Sequence, residues 1–266
     1  MQIRDDDLQH FAAHGAAPLP ETERQGHVGH NGARIWYATY GQGKPVILLH
    51  GGLGHSGNWG YQVPALVDAG YQVIVIDSRG HGHSSRDGQP YGYSLMAGDV
   101  RAVMQALGLD KAAFVGWSDG ACISLVLAAE TPERVSGVFY FACNMDPTGV
   151  KEMEPSPLLD RCFSRHAKDY AALSATPDDF KPFVDAVTSM QQREPNFSAA
   201  DLAAIDVPVA IVLGAHDEFI KPEHMAYLAA TIPGATHTIL AEVSHFAPLQ
   251  RPDLFNKTVL SFLERL

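Results

Sequence analysis

Length, composition and charge indicate a globular protein and exclude several classes of partner. The chain has 266 residues, of which 46% are hydrophobic and 18% charged, and this is enough for a substantial buried core. Its 30 acidic and 19 basic residues give a formal net charge of −11, which disfavours binding to nucleic acid or to an anionic membrane surface.

The first residues and the cysteines bear on the cellular location. Residues 1–7 lack the cationic start and the apolar run of a signal peptide, and the sequence has no apolar stretch long enough to span a bilayer. The three cysteines have no Cys-x-x-Cys spacing, which predicts buried thiols rather than disulfides or a zinc cluster. We therefore expect a cytoplasmic protein.

The N-terminal part predicts an arm followed by a hairpin. Residues 1–23 are polar and show no clear periodicity, which is typical of an extended arm or a loose surface segment. Between residues 26 and 40, two short extended runs flank Asn31-Gly32, the dipeptide that most readily adopts the positive φ angles of a type I′ turn. A β-hairpin is predicted there.

Strands and helices then alternate along the chain. Three short apolar runs without polar alternation are typical of strands buried on both faces, and they cover residues 45–49, 73–76 and 112–115. Residues 94–107 repeat apolar side chains at helical spacing and end at Gly108. A further strand is predicted over 135–142, and the alternation resumes at residue 207. The pattern predicts an α/β fold with a mostly parallel central sheet and helices on both faces.

Residues 144–204 interrupt this alternation. The segment is rich in proline and otherwise helical in pattern, so we interpret it as an inserted helical cap that divides the core into residues 24–143 and 205–266. Several large apolar side chains of the cap either line a pocket or pack against the core, and the sequence leaves both roles open. They are Met153, Phe163, Phe180, Phe183 and Met190.

The central motif for chemistry is Gly-Trp-Ser-Asp-Gly at residues 116–120, directly after one predicted strand and directly before a helical stretch. A serine hydroxyl can attack a carbonyl only if it protrudes from the sheet edge, and the strained turn that achieves this leaves no room for side chains at the flanking positions. Gly116 and Gly120 meet that requirement. Ser118 is therefore the predicted nucleophile.

A serine needs a histidine to accept its proton and a carboxylate to orient that histidine. Asp217 and His245 each follow the end of a predicted strand, and the carboxyl ends of strands are where open α/β sheets place their ligands. The structural alternative is that Asp217 only caps a helix and that His245 lies on the surface.

The negative charge that develops on the attacked carbonyl oxygen needs two backbone N–H donors. We expect one from Asp119, which follows the nucleophile, and one from Gly52 in the glycine-rich loop after the first buried strand. A shift by one residue would assign the second donor to Leu53. The structural alternative is that this loop is a plain turn.

Together these motifs resemble the α/β-hydrolase superfamily over residues 34–266. The matching motifs are His50-Gly51-Gly52, the segment 77–84, the serine turn, Gly214-Ala215-His216-Asp217 and Ser244-His245. The chain order serine, acid, histidine is the order of that superfamily. The Gly-Trp-Ser-Asp-Gly turn is similar to that of biphenyl-hydrolase-like esterases, which implies hydrolysis of carboxylic esters.

The resemblance also bears on other residues. Some family members carry the acid in the region of Asn144 and Asp146, just past the strand predicted over 135–142, so these residues are alternatives to Asp217. In the family, the segment matching residues 77–84 is a tight structural turn, so we interpret His81 and His83 that way rather than as metal ligands. Some relatives use an aspartate nucleophile to open epoxides or displace halide. Asp119 is not in that register, because its flanking positions would be Trp117 and Ala121 instead of glycines.

The sequence thus predicts a serine hydrolase that acts on a small ester-like molecule through an acyl-enzyme and needs no cofactor or metal. A lactonase, a carbon–carbon bond hydrolase and a cofactor-free perhydrolase could use the same residues. A ligand receptor that keeps the scaffold without turnover is the alternative from another class. The sequence leaves open whether the chain forms a homo-oligomer.

Overall fold

The computed structural model describes residues 6–22 and 24–266, so the interpretation of residues 1–5 lies outside the described part. The sheet begins with the hairpin that Asn31-Gly32 predicts. Strands β1 (Arg24–His30) and β2 (Ala33–Tyr40) pair antiparallel. Asn31 and Gly32 have φ angles of 43° and 81°, both positive as a type I′ turn requires. The predicted hairpin is confirmed.

The remaining strands extend this hairpin into one sheet. In the described residues they are β3 (Lys44–Leu49), β4 (Tyr71–Ile76), β5 (Ala112–Trp117), β6 (Val135–Phe141), β7 (Val209–Gly214) and β8 (Thr236–Leu240). The order across the eight-stranded sheet is β1-β2-β4-β3-β5-β6-β7-β8, and every pairing from β4 to β8 is parallel. The β1–β2 and β2–β4 pairs are antiparallel. The predicted α/β fold is confirmed.

Helices connect the strands and pack against the sheet. The described α-helices are α1 (Asp6–His14), α2 (Gln62–Asp68), α3 (Tyr93–Leu107), α4 (Asp119–Glu130), α5 (Pro157–Leu173), α6 (Phe180–Arg193), α7 (Ala199–Ala203), α8 (Pro222–Thr231), α9 (Ala247–Gln250) and α10 (Pro252–Leu263). Helix α3 ends where Gly108 adopts a left-handed conformation with φ of 69°. Across residues 6–22 and 24–266, no helix combines the length and the apolarity needed to cross a membrane.

The segment predicted as a cap is helical. Helices α5, α6 and α7 all lie between β6 and β7, within the predicted bounds 144–204. Helix α5 begins after Ser156, whose hydroxyl accepts a hydrogen bond from the Leu159 N–H, and Pro157 occupies the first helical position. The division of the chain into a cap and two core parts stays a prediction.

The N-terminal segment differs from the prediction. Residues 6–14 form helix α1 rather than an extended arm, and Leu8 and Phe11 of this helix are buried. The helix packs against α5 and α9. The sequence missed it because only two apolar anchors mark its buried face, and so short a helix depends on tertiary packing rather than on its own periodicity.

The turn at residues 77–84 is built around a buried carboxylate. Asp77 accepts hydrogen bonds from the backbone N–H groups of Ser56 at 2.7 Å and His83 at 2.8 Å, and from the His83 ring at 3.0 Å. Burial alone would raise the pKa of Asp77, but the hydrogen bonds from His83 hold that pKa well below its usual range. The His81 ring binds the Arg79 carbonyl oxygen at 2.9 Å. Both histidines therefore take structural roles in the turn.

Arg79 ties this turn to the hairpin and to α3. Its guanidinium is fully buried and donates to both oxygens of Asp99, at 3.0 and 2.6 Å. It also donates to the carbonyl oxygens of His30 and Asn31, each at 3.0 Å. The five N–H donors of a planar guanidinium can serve these four acceptors at once, whereas a lysine ammonium has only three donors.

We expect Arg79→Met to lower the free energy of unfolding by about 3–5 kcal/mol, because it leaves the buried Asp99 without its guanidinium. Arg101→Met is the matched control, since the Arg101–Glu130 ion pair is partly exposed and its loss should cost less than about 1 kcal/mol. Urea unfolding followed by circular dichroism measures both values. Equal losses in the two variants would contradict the assigned role of Arg79.

Candidate functional site

Ser118 lies on a sharp turn between β5 and α4. Its φ of 53° and ψ of −123° are strained for a residue with a side chain, and its N–H donates to the Phe141 carbonyl at 2.8 Å. A Cβ added at Gly116 would lie 2.4 Å from the carbonyl oxygen of Gly120. One added at Gly120 would lie 2.0 Å from the carbonyl oxygen of Leu49. Both glycines are therefore required sterically, as the sequence predicted.

Asp217 and His245 are brought together by the loops after β7 and β8. One carboxylate oxygen of Asp217 accepts from the N–H groups of Phe219 at 2.9 Å and Ile220 at 2.8 Å. The other lies 2.8 Å from Nδ1 of His245. Because an ionised carboxylate can only accept, Nδ1 carries the ring proton and Nε2 keeps its lone pair. The imidazole is thus oriented with an unprotonated nitrogen available.

Three carboxylates influence the charge of this histidine. Burial alone would lower the pKa of His245, but the charge and hydrogen bond of Asp217 raise it, and Glu218 and Asp119 add to that effect. The net result is a pKa above the ordinary value for histidine. The site therefore stabilises the protonated imidazole, the form that results when the ring accepts a proton.

The alternative acids make other contacts. Asn144 donates from its side-chain amide to the carbonyl oxygen of Asp146 at 3.0 Å. The Asp146 carboxylate accepts from the N–H of Thr148 at 2.8 Å and so caps a short turn. Among the described residues, the carboxylate with a side-chain hydrogen bond to His245 is Asp217.

The glycine-rich loop after β3 lies beside the serine turn. Residues 51–54 form a tight turn closed by a hydrogen bond from the Gly54 N–H to the Gly51 carbonyl at 3.1 Å, and Leu53 adopts a positive φ of 62°. A Cβ added at Gly51 would lie 3.1 Å from Cβ of Ser118. The loop is therefore close enough to take part in the site. The choice of Gly52 rather than Leu53 as a donor stays a prediction.

The side chain of Asp119 forms a buried polar cluster next to the serine. It accepts from the Tyr93 hydroxyl at 2.8 Å, and the Gln191 side-chain amide donates to both of its oxygens at 3.1 Å. Burial raises the pKa of Asp119, although these hydrogen bonds oppose that shift. A Cβ on Gly52 would lie 2.7 Å from the Asp119 carboxylate and 2.8 Å from the Gln191 amide nitrogen, so a side chain at residue 52 would have to displace these two groups.

A cavity of about 530 Å³ joins these groups. Ser118, His245, Gly52 and Asp119 all line it, which places the predicted nucleophile and the oriented imidazole at the same opening. A space of this size is typical of small-molecule sites.

The cap side chains divide between the two roles that the sequence left open. Many of the residues that line the cavity come from the predicted cap, and the lining is mostly apolar. Met153, Phe163 and Phe180 line the cavity, whereas Phe183 and Met190 are fully buried in the core. The cavity therefore suits a largely apolar ligand portion.

Sequence reasoning missed several side chains that surround the site. Tyr93 and Gln191 are 26 and 72 residues away from Asp119 along the chain, so no local pattern connects them. Lys151 donates from Nζ to the backbone carbonyl of Asp217 at 2.6 Å. Glu218 accepts from the backbone N–H of His245 at 3.0 Å. Of these four residues, only Glu218 could have been suspected from the sequence, because it directly follows Asp217.

Comparison with known proteins gives consistent matches. The family described as alpha/beta hydrolase fold matches residues 44–176, half of the chain. The 2-hydroxy-6-oxo-6-phenylhexa-2,4-dienoate hydrolase of Burkholderia cepacia is 28% identical over 86% of this chain and 91% of its own length. The serine hydrolase BPHL of Mus musculus is 26% identical over 88% of this chain and 84% of its own length. The solved structure of Est816, described as an N-acyl homoserine lactone degrading enzyme, matches 89% of this chain and all of its own chain with a TM-score of 0.71. The two sequences are 28% identical.

The chain therefore belongs to the α/β-hydrolase fold family. The relatives that match most of its length include several hydrolases and a putative non-heme chloroperoxidase of Synechocystis sp., and the chain is an α/β-hydrolase enzyme. The predicted resemblance to biphenyl-hydrolase-like enzymes is confirmed at the level of the family.

We expect the His245 imidazole to titrate above the ordinary histidine pKa of about 6.5, and Asp217→Asn to move its pKa below that value, because burial then dominates. NMR titration of ¹³C-labelled histidine, with the signal assigned by His245→Gln, measures this. Asp146→Asn is the control and should leave the titration unchanged. A larger shift in the control than in Asp217→Asn would reject Asp217 as the partner of His245.

Proposed function

We propose that the protein hydrolyses carboxylic esters through a Ser118–His245–Asp217 triad and an acyl-enzyme. The observation that carries this proposal is the imidazole of His245, held through Nδ1 by Asp217 in the cavity that Ser118 also lines. A serine hydroxyl is a poor nucleophile until a base accepts its proton, and an imidazole with a free Nε2 is that base.

The proposed reaction has two halves. Nε2 of His245 takes the hydroxyl proton as Ser118 attacks the ester carbonyl, and the resulting imidazolium returns the proton to the leaving alcohol. The acyl group stays on the serine oxygen. A water molecule then attacks the acyl-enzyme, His245 again transfers the proton, and the acid is released. The raised pKa of His245 fits this use, because the site favours the imidazolium that each half produces.

Two backbone N–H groups stabilise the oxyanion in this proposal. One belongs to Asp119, which begins the helix after Ser118, and the other to Gly52 in the adjacent loop. Helix α4 also directs the positive end of its dipole toward the serine. Fixed donors of this kind act without reorganisation at the moment of reaction.

A second candidate reaction is hydrolysis of a vinylogous diketone or a lactone. The similarity to the dienoate hydrolase of B. cepacia favours the first and the similarity to Est816 favours the second. A panel of p-nitrophenyl esters, lactones and vinylogous diketones, with perhydrolysis tested by adding hydrogen peroxide to a carboxylic acid, ranks the reactions by kcat/KM. The substrate with the highest value identifies the bond that is cleaved.

We expect Ser118→Ala to lower kcat for p-nitrophenyl esters by a factor on the order of 10⁶, by analogy with serine protease triads. A fluorophosphonate probe should label the wild type and should label neither Ser118→Ala nor His245→Gln. Ser94→Ala, at an exposed serine of α3, is the control and should be labelled normally. Absence of labelling and turnover in the wild type would favour a non-catalytic receptor instead.

We expect Gly52→Ala to lower kcat by about 100-fold, because the added Cβ would lie 2.7 Å from the Asp119 carboxylate, and relieving that contact would shift the backbone N–H of residue 52 that we propose as an oxyanion donor. Gly29→Ala is the matched control, since no atom lies within 4 Å of its added Cβ. Ester turnover by the two purified variants provides the comparison. Similar kcat values in both would contradict this prediction and show that the site tolerates a side chain at residue 52.

A further inference from the structure

The loop that carries His245 is held by both backbone and side-chain hydrogen bonds. It lies between β8 and α9, and Glu242 at its start has a positive φ of 58°. The N–H of His216, in the loop after β7, donates to the Val243 carbonyl at 3.0 Å. The N–H of Ser244 donates to the Gln250 side chain at 2.8 Å, and the N–H of Phe246 donates to the Ser244 hydroxyl at 3.1 Å. The side-chain acceptors are Ser244, in the loop that carries His245, and Gln250, in helix α9 directly after that loop.

The N–H of His245 has a different kind of acceptor. It donates to Oε2 of Glu218 at 3.0 Å, and Glu218 belongs to the loop after β7 that also carries Asp217. Two consecutive carboxylates of one loop therefore hold the same histidine at two points. Asp217 holds the ring through Nδ1, and Glu218 holds the main chain.

These two contacts constrain different movements. A hydrogen bond to Nδ1 fixes the rotation of the ring but allows the whole residue to shift with its loop. A hydrogen bond to the backbone N–H fixes the position of the main chain relative to the acid loop. Catalytic geometry tolerates little displacement. Fixing both the ring rotation and the main-chain position therefore keeps Nε2 of His245 where it can accept the proton of the nucleophile.

The charge of Glu218 adds an effect on the imidazole. The charged groups that face His245 are Asp217 and Glu218 from the acid loop and Asp119 from the start of α4. The nearby ammonium of Lys151 binds the Asp217 carbonyl oxygen. The rings of Phe219 and Phe246, which contact the imidazole, are uncharged. Burial raises the pKa of Glu218, and the hydrogen bond from the His245 N–H opposes that shift.

We propose that Glu218 is a positioning residue for the hydrolytic reaction, fixing the main chain of His245 to the loop that carries Asp217. The inference rests on the proposed function and goes beyond the triad. The Glu218 carboxylate acts in two ways. It accepts a hydrogen bond from the His245 N–H, which an amide oxygen could also accept, and it carries a negative charge, which an amide does not.

Two variants separate these roles. Glu218→Met keeps the length of the side chain and removes the acceptor, so we expect kcat to fall by roughly 10- to 100-fold while KM stays within about threefold. Labelling of Ser118 by a fluorophosphonate should slow by a similar factor. Glu218→Gln retains an acceptor, so kcat should stay within about threefold of the wild type. Its acid limb of kcat/KM should move to lower pH, because one negative charge that raises the pKa of His245 is gone.

Glu223→Met is the matched control, since Glu223 is an exposed glutamate at the start of α8, and kcat should be unchanged. Circular dichroism and urea midpoints verify that each variant is folded. If Glu218→Met does not fold, Glu218→Gln still decides, because a loss of more than about tenfold in its kcat would overturn the acceptor role.

The outcomes distinguish this inference from the proposed function. A wild type that neither turns over esters nor reacts with the probe refutes the hydrolytic proposal itself. A reactive wild type with Glu218→Met labelled at the same rate refutes only the role of Glu218. An equal loss in Glu218→Met and Glu218→Gln also overturns it, because an amide oxygen would then not have replaced the carboxylate as acceptor.

Discussion

The strained backbone of Ser118 is the constraint on which the site depends. A left-handed conformation at a residue with a side chain costs about 1–3 kcal/mol, and the surrounding fold has to impose it. Glycines at 116 and 120 allow β5, β3 and α4 to approach closely enough to do so. The result is a hydroxyl that stands at the end of the sheet instead of packing within it. Every other group of the site is arranged around that point.

The parallel sheet brings the remaining groups to the same edge. Strands β3, β5, β7 and β8 are followed, respectively, by the glycine-rich loop, the serine turn, the acid loop and the histidine loop. Because parallel strands end on the same side, residues that are far apart in sequence converge without any long-range sequence signal. The Asp217–His245 hydrogen bond joins two of these loops, and in the other two Gly52 lies beside the Asp119 side chain.

Burial and charge oppose each other throughout the site. Burial would keep His245 neutral and would raise the pKa values of Asp119 and Glu218, whereas the carboxylates favour the imidazolium. The fold resolves the conflict through directed hydrogen bonds. Tyr93 and Gln191 donate hydrogen bonds to the Asp119 carboxylate, and the backbone N–H of His245 donates one to the Glu218 carboxylate. Buried polar groups are tolerated when each has such a partner.

Local patterns in the sequence were enough to predict the hairpin at Asn31-Gly32, the alternating strands and helices, and the glycines that flank Ser118, because each depends on the conformations allowed to a few neighbouring residues. They also predicted Asp217 and His245 as candidates, since each follows a recognisable strand. Helix α1 and the contacts of Tyr93, Gln191 and Glu218 could not be predicted in this way. Those features arise from packing between segments that are distant along the chain, and only the tertiary structure decides which side chains meet there.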